Sequence, residues 1–310
     1  IFLKMIRMNL YRMHPLRSIL SKSRSCNEGL SRAISSSSSQ SPAILRTDKG
    51  FVTTLTLNRP KKVNAINDSM ITSLQSHLDQ ISLDDKIRCV VIAGSGKSFC
   101  SGHDLKEITA HTQSLTTSPS SVAIENYYRD IFHSCSRLML TLAKLPQPTI
   151  ACVHGIATAA GCQLAASCDM VLASQTARFG LNGIDVGFFC STPSVALSRV
   201  VNSPSFVFEM AATGELVSAE RALQMGLVNR VVVDNDDGAL EDEVKRLSNI
   251  VAKKYPVAMR MGKKGFYEQL MMSPEAAYAH ATEVMVKNLM CDGTQAGIDS
   301  FIKKKEHKWD

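Results

Sequence analysis

No two of the nine cysteines stand in a C-x-x-C arrangement, which speaks against a zinc site and against a disulfide scaffold and fits a reducing compartment. Long apolar runs are missing too. Charges interrupt every hydrophobic stretch before it reaches the roughly twenty residues of a membrane-spanning helix, so no membrane span is expected. Acidic residues are scarce at one end only. Residues 1–40 carry seven basic side chains (Lys4, Arg7, Arg12, Arg17, Lys22, Arg24 and Arg32) against the single acid Glu28. Of the formal +7 charge, this leaves 28 basic and 27 acidic residues for the rest of the chain, which is nearly neutral. A basic stripe able to release counterions from phosphates is therefore absent, and nucleic acid is not an expected partner. The lysine clusters Lys253 and Lys254, and Lys303 to Lys305, read as solvated faces.

The first forty residues are also rich in Arg and Ser and end in the run Ser35 to Ser39. That is the composition of a mitochondrial transit peptide, disordered and later cleaved, and it points to the matrix. The remainder is long enough for one large domain with a substantial core. Along it, strand and helix signals alternate. Phe51 to Leu57 (FVTTLTL) is strand-like, Pro60 breaks the chain, and a helix is expected from about Asp68. Cys89 to Ala93, Thr149 to Val153, Val171 to Ala173 and Val228 to Val233 read as further strands. From Gly238 the pattern turns helical, with Asp236 or Asp237 as a cap, Pro256 and Pro274 opening successive helices and Gly293 setting off a last one. The organisation is thus α/β, with a core over 41–236 and a helical region over 237–310. The helices carry Met259, Met261, Met271, Met272, Met285 and Met290, a stripe that is more often core than interface.

Two segments carry the chemistry: FCSGHDLKEI at Phe99 to Ile108 and HGIATAAGCQLAASCD at His154 to Asp169. Each follows a short apolar strand, makes a turn through small residues and enters a helix-forming run. Free backbone N–H groups at such turns point at a negatively charged oxygen. Two of them, held roughly 2.7–3.1 Å from a developing oxyanion, each contribute ~10²–10³ in rate.

Through these two segments and NRPKKVNAI (Asn58 to Ile66), the chain resembles the crotonase superfamily of enoyl-CoA hydratases and isomerases from about Phe51 to its end. The resemblance implies the crotonase (ClpP-like) fold, a superhelical core of repeated β-β-α turns with C-terminal helices that serve oligomerisation. It also implies an acyl-CoA ligand or substrate, no separate cofactor and no metal, and a homotrimer or dimer of trimers. The oxyanion donors fall on the amides of His103 and Ala160. Ala160 replaces the usual glycine, which is tolerable if its φ is negative and displaces the donor if it is not. Substrate contacts fall on Val63, Ala65, Cys100, Gly102, Asp104, Lys106, Gly161, Asp185, Cys190 and Ser191.

The two glutamates that family hydratases use match Gln163 and Gly183, and a third carboxylate of the dienoyl-CoA isomerases falls near Ser191. None is acidic here. An amide holds a water without accepting its proton, and a positioned acid or base is worth roughly 10²–10⁴-fold, so efficient hydration is not expected. Restoring both glutamates is expected to raise turnover. Asp185 is either a displaced acid/base or a turn-capping loop residue, while Asn182, Cys190, Ser191 and Thr192 suggest a neutral polar lining. His103 offers either its amide or a titrating ring. Cys162 reads as a packed thiol, His154 as a satisfied core histidine, and Lys106 as either a phosphate contact or a solvated side chain. Lys263 and Lys264 are the candidates for the lysine that family CoA sites borrow from the C-terminal helices. An active hydratase or isomerase using other residues, and a non-catalytic regulatory subunit, remain as alternatives.

Overall fold

Strands buried on both faces build the centre of the protein. In β3 (Cys89–Gly94) and β4 (Thr149–Val153), Cys89, Val91, Ile150 and Cys152 face one cluster while Val90, Ile92, Ala151 and Val153 face another. Alternation along a strand puts successive side chains on opposite faces, so a continuous apolar run signals cover on both sides. The structure, a computed structural model, describes residues 41–115, 121–233 and 238–309. The expected transit segment and the caps at Asp236 or Asp237 lie outside the described residues.

Six strands form the main sheet in the order β1 (Ile44–Lys49), β2 (Val52–Leu57), β3, β4, β6 (Met170–Ser174) and β9 (Arg230–Val232). β1 and β2 are antiparallel, and all later neighbours are parallel. A second sheet joins β5 (Ile156–Thr158), β7 (Arg178–Gly180) and β8 (Val217–Ser218). The chain therefore passes from a main-sheet strand to a second-sheet strand and then to a helix. β4 and β5 lead to α4 (Ala160–Ala166); β6 and β7 lead through a short 3-10 turn, Asn182–Val186, to α5 (Ser191–Val200). This is the expected β-β-α core.

One face of the main sheet is covered by α1 (Asp68–Ser82) and α3 (Ser121–Lys144), the other by α8 (Ala239–Ala252). Helix α1 is capped by Asn67, whose Oδ1 accepts from the Met70 amide at 3.1 Å, and buries Met70, Ile71, Leu74, Leu78 and Ile81 at helical spacing. Helix α8 presents Leu240, Val244 and Leu247 in the same way. A fully buried side chain of this size contributes about 1.5–3 kcal/mol. The chain also forms α2 (Leu105–Leu115), α6 (Pro204–Thr213) and α7 (Ala219–Gln224).

The last three helices differ. α9 (Pro256–Gln269) and α10 (Pro274–Leu289) start at the expected prolines, and α11 (Asp292–Ile302) begins before Gly293, which lies inside it rather than ahead of it. Apart from Gly265 they bury nothing, and Met271, Met272, Met285 and Met290 stand exposed beside Phe266, Leu289 and Phe301. Four of the six methionines are therefore surface in the single chain, while Met259 and Met261 are half-buried. Helix α9 is latched to the sheet by Lys263, whose Nζ donates to Asp169 Oδ2 at 2.7 Å and to the Gln147 carbonyl at 3.0 Å.

Candidate functional site

The turns after β3 and β5 meet across one narrow seam. Cys100 pairs with Ala157 as a parallel bridge, its N–H donating to the Ile156 carbonyl at 3.0 Å and its carbonyl accepting from Thr158 at 3.0 Å. Three residues on, the chain switches partner. Ile66 donates to the Gly102 carbonyl at 2.7 Å and accepts from the Asp104 amide at 2.8 Å. A trans peptide points its C=O and N–H in opposite directions. Because the Gly102 carbonyl faces Ile66, the His103 N–H faces the other way, toward the side where Cys100 meets β5. The Ala159 carbonyl likewise accepts from the Gln163 amide at 3.0 Å along α4, so the Ala160 N–H points out of that helix. Among the described residues, neither N–H has a hydrogen-bond acceptor in the protein.

Close backbone approach brings the two together. A Cβ placed on Gly102, whose φ is +95°, would lie 2.9 Å from the Ala159 Cβ and 3.5 Å from the Ala160 nitrogen. One placed on Gly161 would lie 2.2 Å from the Cys100 carbonyl oxygen. Both sites need glycine for the seam to close. Ala160 itself is helical, so its methyl displaces nothing. The strain sits one residue earlier, at Ala159, with φ 48° and ψ −120°. Its N–H is held by the Gly180 carbonyl at 2.9 Å. A non-glycine residue in this region costs of order 1–3 kcal/mol and persists only where its surroundings dictate it.

The FCSGHDLKEI turn is also clamped from behind. Arg59 Nη2 lies 2.9 Å from Asp104 Oδ2 and 4.0 Å from Glu107 Oε2, while its Nη1 donates to the Ala65 carbonyl. Burial alone would raise the Asp104 carboxyl, but the Arg59 bond and the Glu107 amide outweigh it and hold the group below its usual value. Glu107 accepts from Asn67 Nδ2 at 2.8 Å, and the buried Asn64 donates to the Ser95 and Ser98 carbonyls at 2.9 and 2.8 Å. Val63 and Asn64 both take φ 52° to make this corner. Asp104, Val63 and Ala65 thus shape the turn. Arg59 escapes a reading of the sequence because its partner is 45 residues away.

The His103 and Ala160 residues line a cavity of ≈ 330 Å³ together with Ser101, Leu105, Phe132, Ala159, Asn182, Gly183, Val186 and residues 188–193. Of the expected site residues, Gly183, Cys190 and Ser191 are brought to it, with Asn182 and Thr192. Cys100, Gly102 and Gly161 form the seam behind, and Lys106 is exposed beyond it. Gln163 is buried one helical turn behind Ala160, with Oε1 unpartnered among the described residues. Asp185 turns away: its carboxylate packs against Gly214 at the end of α6, at 2.5 Å from where a Gly214 Cβ would be.

Nor is Gly183 an open place for a glutamate. Phe188 donates to the Gly183 carbonyl at 2.9 Å, and a Cβ on Gly183 would meet the Phe188 carbonyl oxygen at 2.3 Å. Restoring a carboxylate there requires the loop to move, so the double glutamate substitution is not a simple repair. Phe132 and Phe188, centroids 5.7 Å apart, supply an apolar wall that motif reading missed. For Phe132 a signal existed, since it sits beside Ile131 on the edge of the α3 stripe Ile131, Cys135, Leu138 and Leu142.

Burial pushes Cys100 and Cys162 up to about 12. His154 Nε2 lies 3.0 Å from the Gly96 carbonyl. Lys263 is occupied by Asp169, and Lys264 is exposed with Glu268 at 3.9 Å. Among the described residues no cluster of His, Cys, Asp or Glu is placed to hold a metal ion, and no helix is long and apolar enough to cross a membrane.

The sequence model of the enoyl-CoA hydratase/isomerase family matches residues 47–310. A curated relative, enoyl-CoA hydratase domain-containing protein 3, mitochondrial, from Xenopus laevis, is 38% identical over 283 residues, covering 91% of this chain and 91% of its own. Among solved structures, an enoyl-CoA hydratase from Mycobacterium smegmatis is 45% identical with a TM-score of 0.79, covering 86% of this chain and 99% of that one. Human enoyl-CoA hydratase domain-containing protein 3 is 35% identical with a TM-score of 0.79, covering 86% and 100%.

Proposed function

The chain belongs to the enoyl-CoA hydratase/isomerase family, and from that premise we propose that it is a mitochondrial acyl-CoA-binding protein of fatty acid metabolism that hydrates enoyl thioesters poorly. The observation that carries this reading is the pair of N–H groups at His103 and Ala160, without an acceptor among the described residues, on one apolar-walled cavity. In it the thioester carbonyl oxygen takes both donors, as an oxyanion would. The acyl chain lies along Phe132 and Phe188. Gln163 and Gly183 stand where family hydratases carry glutamates, and Asp185 is directed at Gly214, so among the described residues no carboxylate lines the cavity to activate water by taking its proton. Coenzyme A arrives as part of the ligand, and no further cofactor is used.

The exposed apolar face of α9 to α11 supports assembly as a homotrimer or dimer of trimers, since patches of this kind mark interfaces. The mitochondrial relatives and the transit-like composition support the matrix as its location. Thermal unfolding with butyryl-CoA tests the reading. At a hundredfold excess over Kd, a ligand of the folded state adds about 2.7 kcal/mol of stability. Stabilisation with crotonyl-CoA turnover at least 10²-fold below that of a family hydratase is expected. No stabilisation at any thioester concentration contradicts binding, and rapid hydration contradicts the assigned loss.

A further inference from the structure

Sulfur is spread unevenly between the interior and the surface. Among the described residues, every exposed methionine lies between positions 271 and 290. Met271 is 86% exposed, Met290 78%, Met285 66% and Met272 40%, whereas Met70, Met139, Met210 and Met225 are at most 5% exposed. Met271 and Met272 occupy the turn from α9 into α10, and Met290 caps the far end of that helix. Between them α10 runs 16 residues, about 24 Å, and one side of it carries the exposed Tyr278, Met285 and Leu289 at helical spacing.

Leucine would serve an apolar face as well as methionine does, except that a thioether reacts with hydroperoxides. A sulfur lone pair takes the outer oxygen of the peroxide. The S–O bond forms as the O–O bond breaks, an alcohol or water leaves, and sulfur is oxidised as the peroxide is reduced. On the free chain the polar sulfoxide stays in water, so the fold loses little, and burial shields the four interior methionines. Against a second copy, the same oxygen has to give up its water. We infer that Met271, Met272, Met285 and Met290 form a hydroperoxide modification site, at which oxidation keeps copies of the chain apart and sulfoxide reduction lets them rejoin. The inference rests on the proposal that the α9 to α11 face joins copies of this chain. Assembly and oxidation then compete for one surface, and the reagent acts on the dissociated protomer.

Sedimentation velocity of the full chain is compared before and after dilute hydrogen peroxide, with a thiol reductant added afterwards to reverse cysteine oxidation. The oxidised protein is expected to need at least about a hundredfold higher concentration to assemble, since each buried sulfoxide without a partner costs about tenfold or more. Its near-ultraviolet circular dichroism is expected to stay unchanged, and peptide mass spectrometry to find oxygen on the four exposed methionines and not on Met70, Met139, Met210 or Met225. Methionine sulfoxide reductases are expected to restore the oligomer. A chain carrying Met271→Leu, Met272→Leu, Met285→Leu and Met290→Leu together is expected to assemble like the parent and to stay assembled after peroxide. If the oxidised parent remains assembled, or the leucine chain comes apart equally, the inference fails while assembly stands. Loss of the circular dichroism on oxidation also overturns it, because unfolding and not the face then separates the copies. Should the leucine chain not assemble, the response of the parent to the reductases decides, and no recovery overturns the assignment. A parent that sediments as a single chain at every concentration before peroxide removes the assembly reading and the inference with it.

Discussion

Two walls enclose the cavity, and they are held by opposite means. The wall made by residues 99–104 and 158–163 is backbone against backbone, bonded on both edges and so tight that Gly161 has no room for a methyl group. The wall made by residues 182–192 is a largely exposed loop closed by its own turn, where Gly187, at φ +75°, has nothing within 4 Å of an added Cβ. The first wall presents main-chain donors whose placement survives most side-chain changes. The second offers neutral side chains to the cavity, on a backbone whose Phe188 carbonyl stands where a Gly183 side chain would go. Under the proposed function, carbonyl binding belongs to the backbone and proton handling to side chains, so the two are separable.

Substitution at the two glycines breaks the comparison most sharply. Gly161→Ala drives a methyl group into the Cys100 carbonyl, which Thr158 already binds, and is expected to cost about 3 kcal/mol and to abolish butyryl-CoA binding. Gly187→Ala meets only its backbone preference, at about 1 kcal/mol. Urea denaturation of the two variants gives both numbers, and equal losses would erase the distinction between the walls.

Next in size is the clamp. Arg59→Met leaves the buried Asp104 carboxylate unpaired and is expected to cost about 2–4 kcal/mol, with part recovered by Asp104→Asn in the same chain. Because the Asp104 carboxyl is held below its usual value, its share is present above the ordinary carboxylate range and fades as pH falls through the folded value. A double-mutant cycle by urea titration at pH 7 checks the coupling.

The ring of His103 makes a contribution of similar kind with the charge reversed. The unfolded chain takes up a proton near pH 6.5 and the folded one near 4, so the folded state loses roughly 3 kcal/mol as pH falls through that window and nothing further below it. In His103→Leu this slope disappears from the pH profile of stability.

The smallest effect has the opposite sign. Ala159→Gly relieves φ 48° at the seam and is expected to stabilise by about 0.5–1 kcal/mol, less than the strain itself because glycine gains freedom in the unfolded chain. A loss of stability would mean that the Ala159 methyl packs better than its backbone suffers.

Local signals carried much of this architecture. The run Thr149 to Val153 is β4 to the residue, and Pro256 and Pro274 open α9 and α10, because buried apolar runs and helix-starting prolines act over a few neighbours. β5, β7 and β8 were not legible, since strands of two or three residues show no period unless, as at β9, they sit inside a longer apolar run. The turns that bear His103 and Ala160 were legible as small-residue punctuation. What the sequence alone could not reveal was set by distant partners. Arg59 reaches Asp104, the Phe188 carbonyl stands over Gly183, and Asp185 is aimed at Gly214. Met271, Met272, Met285 and Met290 read as core because composition does not say what an apolar face is turned toward.

A crystal structure of the protein with butyryl-CoA bound tests the central claim most directly. The account predicts the thioester carbonyl oxygen within roughly 2.7–3.1 Å of both the His103 and Ala160 nitrogens, with no aspartate or glutamate in hydrogen-bonding reach of the acyl carbons. A carbonyl turned to any other part of the cavity, or a carboxylate arriving beside it, would contradict it.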